Sequence, residues 1–173
     1  MENPLKNPQQ NADYIMHGKK IGYSINLVLM AVKKYDSFLG VYNRGAGFLK
    51  EGKEARFTTN KTHDECYDGV LKMLTLKEAI LNLNSLVIYD RNLTELVHIS
   101  NISIENLDKI ISFSQLALIS ERLRPHTEQE KKVLEEQKAL VLECIDKGLI
   151  PIGRQVFLQE LESRKETEKS LDK

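Results

Sequence analysis

The sequence has no tryptophan, only two cysteines and no apolar run long enough to cross a bilayer. Cys66 and Cys144 stand far apart in segments of helical periodicity. Such sparse use excludes a disulfide-stapled scaffold and suits free thiols in a reducing compartment. The longest apolar run, Ile25 to Val32, is interrupted by Asn26 and falls well short of the ~20 residues a membrane helix needs. The opening MENPLKNPQQNAD is polar and lacks the apolar core of a signal peptide. A cytoplasmic protein is expected, with signal-less secretion as the other route. An excess of charge of either sign is also missing. Lysine plus arginine equals aspartate plus glutamate at 25 each, which removes any whole-molecule attraction to nucleic acid or acidic lipid.

What is present reads mainly as helix. Ile21, Ile25, Val28, Val32, Tyr35 and Leu39 recur at spacings of three and four, the stripe of an amphipathic first helix running from Ala12 to about Val41. Leu27 and Met30 fall on its opposite side. Helix-start pairs follow at Thr62/Glu65, Thr75/Glu78, Asn92/Glu95 and Thr127/Glu130. The segment after Asn92, LTELVHIS, reads as a short helix. Pro125 ends a central buried helix, and Gly148 sits where a helix C-terminus favours positive φ. Strand-like alternation is confined to SLVIYD, ending at Asp90, and to GFLKEGKEARFTT, residues 47–59. The expected fold is all-α: an antiparallel bundle of about five or six helices with one long loop or hairpin at 43–61. Its boundaries are a tail over 1–11, a single domain over 12–160 and a charged, fraying tail over 161–173.

Gly47 to Lys53, GFLKEGK, satisfies G-x-x-x-x-G-K, but Glu54 stands where a phosphate loop has Ser or Thr to bind magnesium. A phosphate loop also requires a preceding buried strand and a following helix. Asp90 at the end of LVIYD would be the matching magnesium carboxylate. A nucleotide site on Lys53 and Asp90 is therefore the weakest of three readings, and the GFLKEGK segment is expected to be an exposed hairpin in which Phe48 and Leu49 anchor one arm, Glu51-Gly52 turns, and Arg56 and Phe57 return. His63 and Cys66 share a helix face at metal-ligand spacing, yet no further ligands stand at motif distance. No metal, cofactor or catalytic set is expected, so the chain reads as a non-enzyme.

Local charge is uneven. Residues 12–61 hold nine basic against four acidic side chains, whereas 62–90 hold two against five. The favoured reading is a module that binds a partner protein, as an adaptor, chaperone or regulatory subunit, with a homodimer as one form. Its contact residues would be Leu27, Met30, Arg44, Phe48, Lys50, Lys53 and Arg56. The alternative is an anion-binding module for nucleic acid or acidic phospholipid, to which Lys19, Lys20, Lys33 and Lys34 would add.

Overall fold

The computed structural model describes residues 5–170. In chain order these form α1 (Pro8–Lys20), β1 (Asn26–Met30), α2 (Lys34–Lys50), α3 (Asn60–Met73), α4 (Lys77–Leu81), β2 (Ser85–Tyr89), β3 (Glu95–Ile99), α5 (Leu107–Leu123), α6 (Glu128–Asp146) and α7 (Arg154–Ser170). The fold is mixed α/β, which corrects the all-α bundle. Of the two expected tails, residues 1–4 and 171–173 lie outside the described residues.

The chain forms two compact units. The first takes residues 1–32 and 60–122 and contains a three-stranded sheet in the order β1-β2-β3. β1 pairs in parallel with β2, and β3 antiparallel to it. Leu29, Leu86, Ile88 and Val97 share the core face of this sheet with Ile80, Ile110, Ile111 and Leu118 from the helices.

β1 lies where the first helix was expected. Its five residues fit two periods at once, and burial decides between them. Ile21 and Val28, members of the helical stripe, are 57% and 56% exposed, whereas Leu29 is 2% exposed. Gly22, at φ +89°, ends the preceding turn in a conformation other residues rarely adopt. Met30 is exposed, and Leu27 packs part-buried against the core. Similarly, LTELVHIS contains β3 rather than a helix. Asp90 takes the amides of Asn92 and Thr94 on its Oδ1 at 2.8 and 2.7 Å, closing a turn in which Leu93 adopts φ +63°.

The second unit, residues 33–59 and 123–173, is helical. α2 buries Tyr35, Phe38, Leu39, Tyr42 and Ala46 against Leu134, Val141 and Cys144 of α6 and Phe157 and Leu161 of α7. The Thr127/Glu130 pair forms a full capping box, and Gly148 has φ +69° just beyond α6. The long connection expected over 43–61 is much shorter: residues 43–50 are the last two turns of α2, and α3 begins at Asn60.

Candidate functional site

The GFLKEGK segment is a helix ending. Lys53 N donates to Phe48 O at 2.9 Å and Gly52 N to Leu49 O at 3.1 Å, the paired bonds of a Schellman motif. Gly52, at φ +71°, is the left-handed residue this ending requires. A phosphate loop offers converging amide N–H groups at a helix N-terminus. This segment sits at the C-terminus, where the helix dipole is negative. The glycines that resemble a nucleotide motif therefore serve helix termination.

Beyond this turn the chain runs back along α2. The Phe57 ring lies where a Cβ on Gly45 would stand, 2.3 Å from Cε1, and it packs on Tyr42 with ring centroids 5.4 Å apart. Arg44 and Arg56 immediately precede these two touching residues. Both are exposed, and among the described residues neither makes a hydrogen bond or ion pair. Phe48, one turn after Arg44 on α2, is 43% exposed.

The remaining sequence candidates are engaged or elsewhere. Lys50 Nζ bonds Glu143 at 2.7 Å, and Lys147 approaches the same carboxylate at 2.6 Å. Lys147 first, and Lys50 with it, holds the Glu143 carboxyl down at about 2. Lys53 pairs with Glu51 at 2.5 Å. Lys19 bonds the Asn84 side chain at 3.2 Å, and Lys20 is exposed at the end of α1. Lys33, at the N-cap of α2, is buried to 6% exposure, and Lys34 is part-buried; both have partners. Lys19 and Lys20 belong to the first unit, Lys33 and Lys34 to the second.

Neither metal idea fits the residues present. Asp90, the candidate magnesium carboxylate, is buried and spends Oδ1 on the hairpin amides. His63 bonds Asp64 through Nδ1 at 3.0 Å, and burial pushes the Cys66 thiol up, away from the thiolate a metal would bind. Among the described residues no group of three or more His, Cys, Asp or Glu converges.

Two buried polar features escaped the sequence reading. His126 Nε2 meets both oxygens of Asp36 at 2.8 and 3.0 Å. Arg164, 3% exposed, places its guanidinium 3.8 Å over the Phe38 ring and bonds Glu160. Only the i,i+4 spacing of Glu160 and Arg164 was a local signal; the His126–Asp36 contact spans ninety positions.

The arrangement thus leaves the Arg44 and Arg56 guanidinium groups without a partner among the described residues, beside the Gly45–Phe57 contact. The family model described as Zeta toxin matches residues 1–103, more than half of the 173. The chain belongs to the Zeta toxin family. That family has a P-loop α/β fold and is kinase-like, nucleotide-binding and phosphotransferase, which overturns the expectation of a non-enzymatic adaptor or chaperone. The Zeta toxin match runs from α1 through β3 and includes Arg44 and Arg56. No curated protein matches the chain. Among the described residues no helix is long and apolar enough to cross a membrane.

Proposed function

We propose that this chain serves nucleotide-dependent phosphoryl transfer of the Zeta toxin kind, with Arg44 and Arg56 holding phosphate oxygens. One observation carries the reading. Within the matched segment, two exposed arginines that make no hydrogen bond or ion pair among the described residues flank the Gly45–Phe57 contact. Guanidinium groups present fixed forks of donors that match phosphate oxygens bidentately. Positive charge held where a phosphoryl group changes hands offsets the charge on its equatorial oxygens, and an arginine in that role contributes about 10³–10⁵ in rate. The Phe57–Gly45 contact limits the reorganisation needed to aim these groups. Lys50 and Lys53 have no part in this role, since Glu143 and Glu51 already neutralise them. An intracellular setting belongs to the same reading and is supported by the two free thiols, Cys66 and Cys144.

The test is a thermal melt of the purified chain in ATP and, separately, in inorganic tripolyphosphate. A Kd near ~1 mM and ligand at ~10 mM stabilise by about 1.4 kcal/mol through mass action, a rise of a few degrees for a chain of this size. Both ligands should act, and added salt should weaken both. A chain whose melt ignores both ligands, or an Arg44→Ala/Arg56→Ala double variant that responds as fully as the original, would overturn the proposal.

A further inference from the structure

α5 carries two apolar faces. On one, Leu107, Ile110, Ile111 and Leu118 are each exposed to 9% or less and join the core of the sheet. The other points to solvent. Phe113 is 55%, Leu116 63% and Ile119 38% exposed, and Ser112 and Ser120 beside them are exposed as well. At 3.6 residues per turn these five lie within about 60° of the line through Leu116, away from the core face. Expected from its periodicity as a central buried helix, α5 instead leaves one contiguous apolar strip uncovered, as interaction surfaces do.

The order of residues along that strip says what fits it. The outward positions read Ser112, Phe113, Leu116, Ile119 and Ser120, a palindrome of small, large, large, large and small side chains centred on Leu116. A second α5 running antiparallel, related by a two-fold axis at Leu116, presents the same strip in reverse. Phe113 then stands over the second copy's Ser120, Ile119 stands over its Ser112, and Leu116 meets itself. Large side chains outside the centre thus face small ones, the interdigitation that helices packed 8–10 Å apart require. An isologous interface demands this self-complementarity, whereas an unrelated partner imposes no symmetry about residue 116.

Charge points to the same pairing. α5 has Asp108 in its first turn and Arg122 in its last. An antiparallel pair sets the acidic end of each helix beside the basic end of the other and opposes the two helix dipoles; a parallel pair would bring like ends together. Lys77 lies 2.7 Å from Asp108, and Arg122 lies 3.8 Å over the Tyr67 ring, so these charges orient the pair rather than bond across it.

We infer that α5 pairs two copies of this chain about a two-fold axis at Leu116. Its 17 residues make a helix about 25 Å long. One such helix pair stays near or below the ~1,200 Å² of a stable interface, so the dimer forms reversibly with concentration. The pairing stands apart from the phosphoryl-transfer reading, because Arg44 and Arg56 belong to the other unit.

The experiment introduces one cysteine at a time into the full chain, Leu116→Cys or, as the control, Lys109→Cys, and oxidises each with copper phenanthroline. Residues on the two-fold axis of facing helices come within about 7 Å between Cα atoms, inside disulfide reach. The two 109 positions stand about 21 Å apart along the pair. The expected product is a covalent dimer linked 116 to 116, which mass spectrometry distinguishes from links through Cys66 and Cys144, with no 109-to-109 product. In sedimentation velocity the unsubstituted chain should pass from monomer to dimer as concentration rises. Leu116→Asp, at an exposed position, should weaken that association about tenfold or more while leaving the melting temperature unchanged. A monomer at every concentration, links at 109 as frequent as at 116, or a face that binds phospholipid vesicles in place of a second copy overturns the inference.

Discussion

Phe57 occupies the space that any side chain at Gly45 would need: an added Cβ would lie 2.3 Å from Cε1 and 2.6 Å from Cζ of its ring. A glycine inside a helix costs about 0.8–1 kcal/mol relative to alanine, so its presence is explained by the aromatic contact it permits. Gly45→Ala should displace Phe57 from Tyr42 and destabilise the chain by about 1–3 kcal/mol. Triphosphate binding should fall with it. Denaturant melts and a titration on the same preparation check both outcomes.

Gly40 and Gly47 stand on the same helix, and neither would bring a Cβ within 4 Å of another group. Their replacement by alanine should raise stability by about 0.5–1 kcal/mol each. A loss at either position would show that α2 meets something at those points in solution.

Lys53→Ala separates the motif from the site. Lys53 is paired with Glu51 at a helix C-terminus, so its loss should leave ATP and tripolyphosphate binding within about twofold. Arg44→Ala and Arg56→Ala should each weaken binding by about 10- to 150-fold, as expected for a charge-assisted contact of about 1.5–3 kcal/mol. Isothermal titration at fixed salt reads the difference.

Asp90→Ala should destabilise the first unit by about 1–3 kcal/mol, because the amides of Asn92 and Thr94 lose their acceptor. ATP binding by the folded variant should be unchanged. A carboxylate that served a metal would give the opposite pattern.

Glu130 ties acid stability to the start of α6. Its hydrogen bonds with Arg124, at 2.8 and 2.5 Å, hold its carboxyl down at about 2 from the ordinary 4.5. Because the folded value is the lower one, the stabilisation is complete above about 4.5 and is lost as pH falls toward 2. Glu130→Gln should cost about 1 kcal/mol at neutral pH, through the weakened Arg124 contact and capping box. It should also flatten the pH dependence of stability between those limits. Urea melts from pH 2 to 7 follow both effects.

The sequence made some of this legible. Thr127 and Glu130 announce their capping box, Gly148 its helix end, and SLVIYD its strand, because each signal is local. β1 was concealed because Ile25, Val28 and Val32 satisfy a helical stripe while Leu27, Leu29 and Ala31 satisfy alternation. Only the partner strand β2, some sixty positions later, decides which set is buried. β3 was misread because Asn92 and Glu95 imitate a helix cap; the turn is made by the preceding Asp90. At the site, Arg44 and Arg56 were named, but among lysines of equal apparent merit. Their distinction is that no carboxylate among the described residues pairs with them, and the neutralising Glu143 lies ninety-three positions from Lys50.

The Zeta toxin match ends at residue 103, yet α2, which lies inside it, is clasped by α6 and α7, which lie beyond it. The boundary of inheritance is therefore not a boundary of folding. A fragment cut at 103 would strip Phe38, Leu39, Tyr42 and Ala46 of the cover that α6 and α7 provide, leaving Leu49 and Phe57 as their partners in the cluster. The two arginines would then ride on a helix without its seat, and any minimal version of this chain must keep the later helices.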